Sequence, residues 1–230
     1  MKRIGVFALA GITALTLGCN SSRRETAANN PPATGGAVGT AGTAENGVPK
    51  GDRTFAHDVT GMNMAEIDLA RLAVEHSPSA DVKKLAQTLI DDHTAAGEKL
   101  SAIASQNSID VPAQIDDKDR DRHETLAKKQ GLDFDKDWAD AMIDGHKDLL
   151  DKLESRIDKD KLGEWKTRHE DATGKKVEAA GEDVVILPEK SDNPITSSIN
   201  QWAATTYPVA FAHLSAVKAL KDALKKRSTD

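Results

Sequence analysis

The fold is decided by the stretch Val82–Ile103, VKKLAQTLIDDHTAAGEKLSAI. Read at about 100° per residue, Val82, Leu85, Ala86, Leu89, Ile90, Ala96, Leu100 and Ile103 fall on one apolar stripe, the mark of an amphipathic helix with one face in a core. His93 lies on the midline of that stripe. A titratable imidazole stands where such a helix ordinarily carries leucine. Either the ring is a hydrogen-bonded core residue or it is put to use.

Three further segments repeat the pattern. Helix A is predicted over 54–76, with Asp52 or Thr54 as cap and Ser77-Pro78 as the stop. Its stripe is Phe55, Val59, Met62, Leu69, Ala70 and Ala73, and Glu66 sits at its centre. Helix B, the opening stretch, runs over 79–106 from a Ser79 cap. Helix C is predicted over 135–158 on Trp138, Ala139, Met142, Ile143, Leu149, Leu150, Leu153 and Ile157, with His146 on the midline. Helix D runs over 195–226, capped by Asp192 or Asn193 with Pro194 in its first position. Its stripe of Ile199, Trp202, Thr206, Val209, Ala210, Val217, Leu220 and Leu224 is centred on His213, and Pro208 predicts a kink. The polar segment 114–130 accommodates a short helix ended by Gly131. Residues 159–188 keep a helical period broken by Gly163, Gly174 and Gly181 and end in the extended run DVVILP, which reads as an insertion between helices C and D. The fold class is all-α, an antiparallel four-helix bundle over 53–228.

Composition agrees. Only 3% of the 230 residues are aromatic, which suits helices packed through Ala and Leu better than a β-sandwich. The net charge of −6 leaves no basic footprint, so nucleic acid is not an expected partner. Residues 1–18 read as a signal peptide: Lys2 and Arg3, then an apolar run Ile4–Leu17 too short to span a bilayer comfortably. The only cysteine follows in Leu15-Thr16-Leu17-Gly18-Cys19. This resembles the lipobox of bacterial lipoproteins, although Thr16 stands where leucine is usual. The resemblance implies that Cys19 is acylated and becomes the mature N-terminus, anchoring an exported chain to the cell envelope, expected at the outer membrane facing the periplasm. Residues 19–52 are rich in Ser, Thr, Asn, Gly, Ala and Pro and read as a disordered tether. Its reach as a flexible coil is roughly 30 Å.

Glu66, His93, His146 and His213 each lie near the midpoint of their helix, and midpoints meet in an antiparallel bundle whatever its topology. One core layer therefore holds a carboxylate and three imidazoles. Such a set suits one divalent transition metal (Zn, Cu, Fe or Mn), and Asp92 is placed to support it from a second shell of contacts. Met62 and Met142, each a turn before a midline residue, are either thioether donors or core filler. The competing reading is a Glu–His hydrogen-bond network without metal. His57, His76, His123 and His169 fall off the stripes and read as surface. The acidic runs from Asp117 and Asp133 are not EF-hand loops: the sixth positions are Arg122 and Trp138 instead of glycine. No Gly-rich phosphate loop, nucleophile elbow or H-E-x-x-H is present, so no catalytic residue is assigned.

The residues Asn63-Met64-Ala65-Glu66-Ile67, Val82-Lys83-Lys84-Leu85-Ala86, Asp91-Asp92-His93, Gly131-Leu132-Asp133-Phe134-Asp135, His146, Tyr207-Pro208 and His213-Leu214 resemble the bacterial family of domain of unknown function 4142. The resemblance implies a ferritin-like, envelope-attached bundle with no established activity. A ferritin-like di-iron centre needs Glu three residues before His on two helices, whereas Ile90 precedes His93 and Ala210 precedes His213. A di-iron centre is therefore not expected. The alternative function is a structural or stress-related interaction scaffold that works through its surface or the 159–188 insertion.

Overall fold

The computed structural model describes residues 47–169 and 185–227. The signal segment, Cys19, most of the tether and residues 170–184 of the insertion lie outside the described residues. The elements in chain order are α1 (Lys50–His76), α2 (Ala80–Gln106), α3 (Asp117–Ala127), α4 (Gly131–Glu154), α5 (Lys159–His169) and α6 (Pro194–Arg227). The four long helices α1, α2, α4 and α6 correspond to the predicted helices A to D, and the protein is an all-helical bundle.

Local chemistry sets most helix ends. The Ser79 side chain accepts from the Val82 amide at the start of α2. Asp116 accepts from the Asp119 amide to cap α3, so the acids that mimic a calcium loop are helix-start acids. Asn193 accepts from the amides of Ile195 and Thr196 at 2.9 and 3.1 Å, with Pro194 as the first residue of α6. The helix then continues through Pro208 as one element.

Three boundaries differ from the expected ones. Helix α1 begins at Lys50, four residues before 54, and Val48 is buried in the core, so the end of the expected tether belongs to the bundle. Asp52 is no cap: it is buried in the first turn, where it accepts from Arg156 and Thr196, each at 2.5 Å. Helix α4 begins at Gly131 and not at Asp135. Gly131, with φ +60°, opens α4 instead of ending the helix before it. Asp135 is buried inside α4 and accepts from Ser77 Oγ at 2.5 Å. Finally, α4 ends at Glu154, because Ile157 leaves the helix to face Pro188. The Asp158 amide donates to Leu187 O and the Glu189 amide to Arg156 O, both at 2.9 Å. These bonds clamp the base of the insertion, from which α5 packs Trp165 edge-on to Tyr207 and Phe211 of α6.

Cross-helix bonds fix the topology. Asp52–Arg156 and Ser77–Asp135 join opposite ends of α1 and α4, so these two run antiparallel. Arg227–Asp81 and the Trp202 indole on Ala96 O do the same for α6 and α2. Lys221–Asp140 and Tyr207–Glu154 do so for α6 and α4. With the α1–α2 hairpin, the order around the bundle is α1, α2, α6, α4 and the sense is up-down-down-up. The crossover between α2 and α4 carries α3, which is held to α1 by His123 on Asp68 at 2.6 Å. Trp138 is fully buried and donates to Leu69 O at 3.0 Å, tying α4 to α1 beside the middle of the bundle. No helix among the described residues is long and apolar enough to cross a membrane.

The Asp52–Arg156 pair fastens the start of α1 to the end of α4. Asp52→Ala leaves Arg156 Nη1 and the Thr196 hydroxyl without their acceptor, with only the Gly51 carbonyl still holding the guanidinium, and is expected to cost about 2–4 kcal/mol in urea denaturation of the full-length chain. A change within experimental error would show that the α1 terminus folds independently of this pair.

Candidate metal centre

The midpoints do meet. Glu66 from α1, His93 from α2, His146 from α4 and His213 from α6 are 4%, 4%, 0% and 6% exposed. The three imidazole centroids form a nearly equilateral triangle with sides of 5.3, 5.4 and 5.5 Å. One nitrogen from each ring lies within 4.8 Å of the others, and these three buried histidines could hold a metal ion. Glu66 stands against the His93–His146 side of the triangle. Its Oε2 is 2.9 Å from His93 Nε2 and its Oε1 is 3.2 Å from His146 Nδ1.

Each ring is oriented through its other nitrogen. His93 Nδ1 donates to Asn63 Oδ1 at 2.9 Å, His146 Nδ1 to the Met142 carbonyl at 2.9 Å, and His213 Nε2 to Asp92 Oδ2 at 2.8 Å. The tautomers are assigned from these acceptors. A neutral ring carries a single N–H, so a neutral His146 keeps Nε2 and a neutral His213 keeps Nδ1 as an inward electron pair, while His93 Nε2 faces Glu66 Oε2. Outer acceptors of this kind orient metal-binding histidines in general. His93 Nε2 and His146 Nε2 are 3.4 Å apart. Two nitrogens on one tetrahedral ion, with bonds of 2.0–2.1 Å, stand about 3.3–3.4 Å apart. His213 Nδ1 is buried without a hydrogen-bond partner.

Glu66 is the electrostatic crux. The nitrogens nearest its two buried oxygens are those of His93 and His146. Burial by itself pushes the carboxyl up, but the charge of His146, and the hydrogen bond and charge of His93, outweigh it and hold Glu66 below the ordinary carboxylate value. Burial pulls His146 and His213 down, more strongly than Glu66 and Asp92 respectively pull them up. The helices make room for the carboxylate with glycine. A Cβ at Gly145 would meet Glu66 Oε1 at 2.7 Å, and one at Gly97 would meet Asn63 Nδ2 at 2.7 Å.

Asp92 therefore touches a site histidine, but across the helix interface: it holds His213 of α6 and not a ring of its own helix. Asn63, Gly97, Gly145 and the Met142 carbonyl carry no role in the sequence reading. The glycines left a signal there, since an interior helical glycine costs about 1 kcal/mol relative to alanine and needs a reason. Asn63 is one turn before Glu66 on the same face. Met62, offered as a thioether donor, is half-buried and lines an outer groove with His57 and Pro112. Met142 is fully buried, and its backbone carbonyl is the atom that holds His146. Three of the histidines read as surface are engaged with other elements or rings: His123 on Asp68, His169 stacked on Trp165 at 3.9 Å, and His76 stacked on Phe134 at 5.8 Å.

Fold and site together define a helical-bundle protein with a buried His/Glu cluster at mid-height. The family model for a domain of unknown function, DUF4142, matches residues 37–175, and the chain belongs to that family. The match spans α1 to α5 and stops before α6, so it does not include His213. Neither the curated proteins nor the solved structures contain a match to this chain.

Acid should loosen the metal-free bundle. In the unfolded chain His146 and His213 bind protons near their ordinary value of 6.5, whereas the folded chain binds them only at lower pH. The unfolded state thus holds more protons as pH falls through 6.5, and stability falls with it. The stabilising contribution of Glu66 is present above its ordinary value of 4.5 and is lost as pH falls through its lower folded value. Urea midpoints of the metal-free full-length chain should fall steadily from pH 7.5 to 5, and flat midpoints across that range would contradict the assignment of neutral buried rings.

Proposed function

We propose that this chain is an exported, lipid-anchored envelope protein whose bundle holds one divalent transition metal on His93, His146 and His213, with Glu66 as the carboxylate ligand. The observation that carries the reading is the set of three buried histidines, one nitrogen of each within 4.8 Å of the others, beside the carboxylate of Glu66. Each ring has an outer partner at its other nitrogen, Asn63, the Met142 carbonyl or Asp92. Such a layer lacks positive charge, and one divalent cation supplies it. The N/O donor set, without thiolate, suits Zn, Cu, Fe or Mn. Bound there, the ion would supply Lewis acidity or, if it is Fe or Cu, a redox centre. The protein's own residues hold the rings in register: Asn63 for His93, the Met142 carbonyl for His146 and Asp92 for His213.

The anchor is the second half of the proposal. Leu15-Thr16-Leu17-Gly18-Cys19 after a short apolar segment supports acylation of Cys19, and several acyl chains on one residue give a stable anchor where one alone would not. The intervening polar segment then spaces the bundle from the outer membrane on its periplasmic side.

Full-length protein reconstituted in turn with Zn, Cu, Fe and Mn, then desalted, should retain one equivalent of at least one metal by elemental analysis. His93→Ala and Glu66→Ala should abolish that retention, and Gly145→Ala, by pushing on Glu66, should weaken it at least tenfold while circular dichroism stays helical. Affinity should rise with pH because protons compete for the same electron pairs. Failure to retain any of the four would leave the layer as a Glu–His hydrogen-bond network and favour the scaffold reading. Mass spectrometry of the membrane-extracted protein should show acylated Cys19 as the first residue; an unmodified thiol there would remove the anchor.

A further inference from the structure

The layer is not equally enclosed on all sides. Towards α4 it is tight, as the 2.7 Å approach that a Cβ at Gly145 would make to Glu66 shows. On the α2–α6 side lies a cavity of about 20 Å³. His93 and His213 wall it, together with Trp202, Thr206 and Ala210, while His146 and Glu66 do not. Val209 and Asp92 also line it, and both reach solvent: Val209 is 42% exposed and the Asp92 side chain 45%. Apart from Asn63, Asp92, Thr206 and the two imidazoles, its walls are apolar or aromatic.

We infer that this cavity admits one water-sized ligand to the metal, so that the site keeps an exchangeable coordination position on its α2–α6 side. The inference rests on the metal reading above and adds the class of ligand. A cavity needs roughly 10–15 Å³ to hold a water molecule. The space here therefore takes one water or hydroxide, a diatomic gas, or the end of a slim linear anion. It excludes phosphate, amino acids and sugars. With His93, His146, His213 and Glu66 all bound, a tetrahedral ion is full, so the exchangeable position is a fifth one, of the kind by which catalytic zinc sites expand to five-coordinate. His93 and His213 border the void, which is where that fifth ligand would reach the ion. Ligand exchange breaks the bond to one water and forms the bond to its replacement, with no change in oxidation state.

The test uses cobalt, whose visible bands report its coordination sphere. Full-length protein is loaded with Co(II), and azide is then added. Visible bands on loading, with one equivalent of cobalt retained, establish the metal site. A saturable change in those bands with azide is the result expected from the open position. Ala210→Val, which fills the cavity wall, should leave the azide-free spectrum unchanged and weaken azide at least tenfold. Val209→Phe covers the solvent rim and does not burden the core, so it should weaken azide in the same direction even if Ala210→Val fails to fold. Cobalt bands that ignore azide would overturn the open position and leave the metal reading standing. Azide binding that neither folded variant weakens would also overturn the inference, because the ligand would then arrive by another side. Absence of cobalt binding would overturn both.

Discussion

Glu66 is the group to which the rest of the bundle is fitted. A carboxylate at 4% exposure is held at mid-height among four helices, with only His93 and His146 against its oxygens. Taking such a charge out of water costs several kcal/mol even after relaxation. The surroundings meet that cost with imidazoles: the charge of His146 and the hydrogen bond and charge of His93 favour the ionised carboxyl. Three imidazoles converge on one side of it, and Gly145 leaves the space its oxygen occupies. A leucine at 66 would satisfy the stripe and remove the problem, and with it any reason for the three rings to face inward.

The topology turns that local demand into a layer. In the up-down-down-up order every neighbouring pair is antiparallel, so the helix midpoints coincide and α1, α2, α4 and α6 each contribute one inner residue. The support for the rings also runs between neighbours. Asn63 of α1 holds His93 of α2, and Asp92 of α2 holds His213 of α6. Only His146 is held by its own helix, through the Met142 carbonyl one turn back. Ring orientation on α2 and α6 is therefore a property of the assembled bundle, while that on α4 is already present in the helix. The Trp138 bond to Leu69 O and the Trp202 bond to Ala96 O lock the α1–α4 and α2–α6 pairs at the heights this register requires.

Much of this could be read from the chain, because helical periodicity and midpoint position are one-dimensional properties. The stripes of 80–106 and 194–227 name their helices, and the placement of Glu66, His93, His146 and His213 at the four midpoints names the layer. What the chain could not display was lateral. Whether Asp92 serves the ring on its own helix or one across the interface depends on which helix lies beside α2, and the long crossover left two topologies open. Boundaries were lost for a related reason. Asp52 and Asp135 look like helix-start acids until Arg156 and Ser77, more than fifty residues away, draw them inside the bundle. Gly131 reads as a helix stop when only the preceding segment is considered, and its positive φ is instead the entry to α4.

The choice between a metal and a hydrogen-bond network turns on counting protons. A network needs donors as well as acceptors: His146 Nδ1 and His213 Nε2 face the Met142 carbonyl and Asp92 on their outer sides, whereas His93 lies between Asn63 Oδ1 and Glu66 Oε2. With the His93 proton on the Asn63 side the inner face presents three ring lone pairs and a carboxylate, all of them acceptors. A network places the His93 proton on the Glu66 side, since burial disfavours an added proton at His146 and His213. A single divalent cation would answer the three ring nitrogens at once without disturbing the outer bonds. The 3.4 Å between His93 Nε2 and His146 Nε2 is long for a hydrogen bond and near the spacing of two ligands on one ion. The outer acceptors at His146 and His213 thus leave His93 as the one ring whose proton position separates the two states.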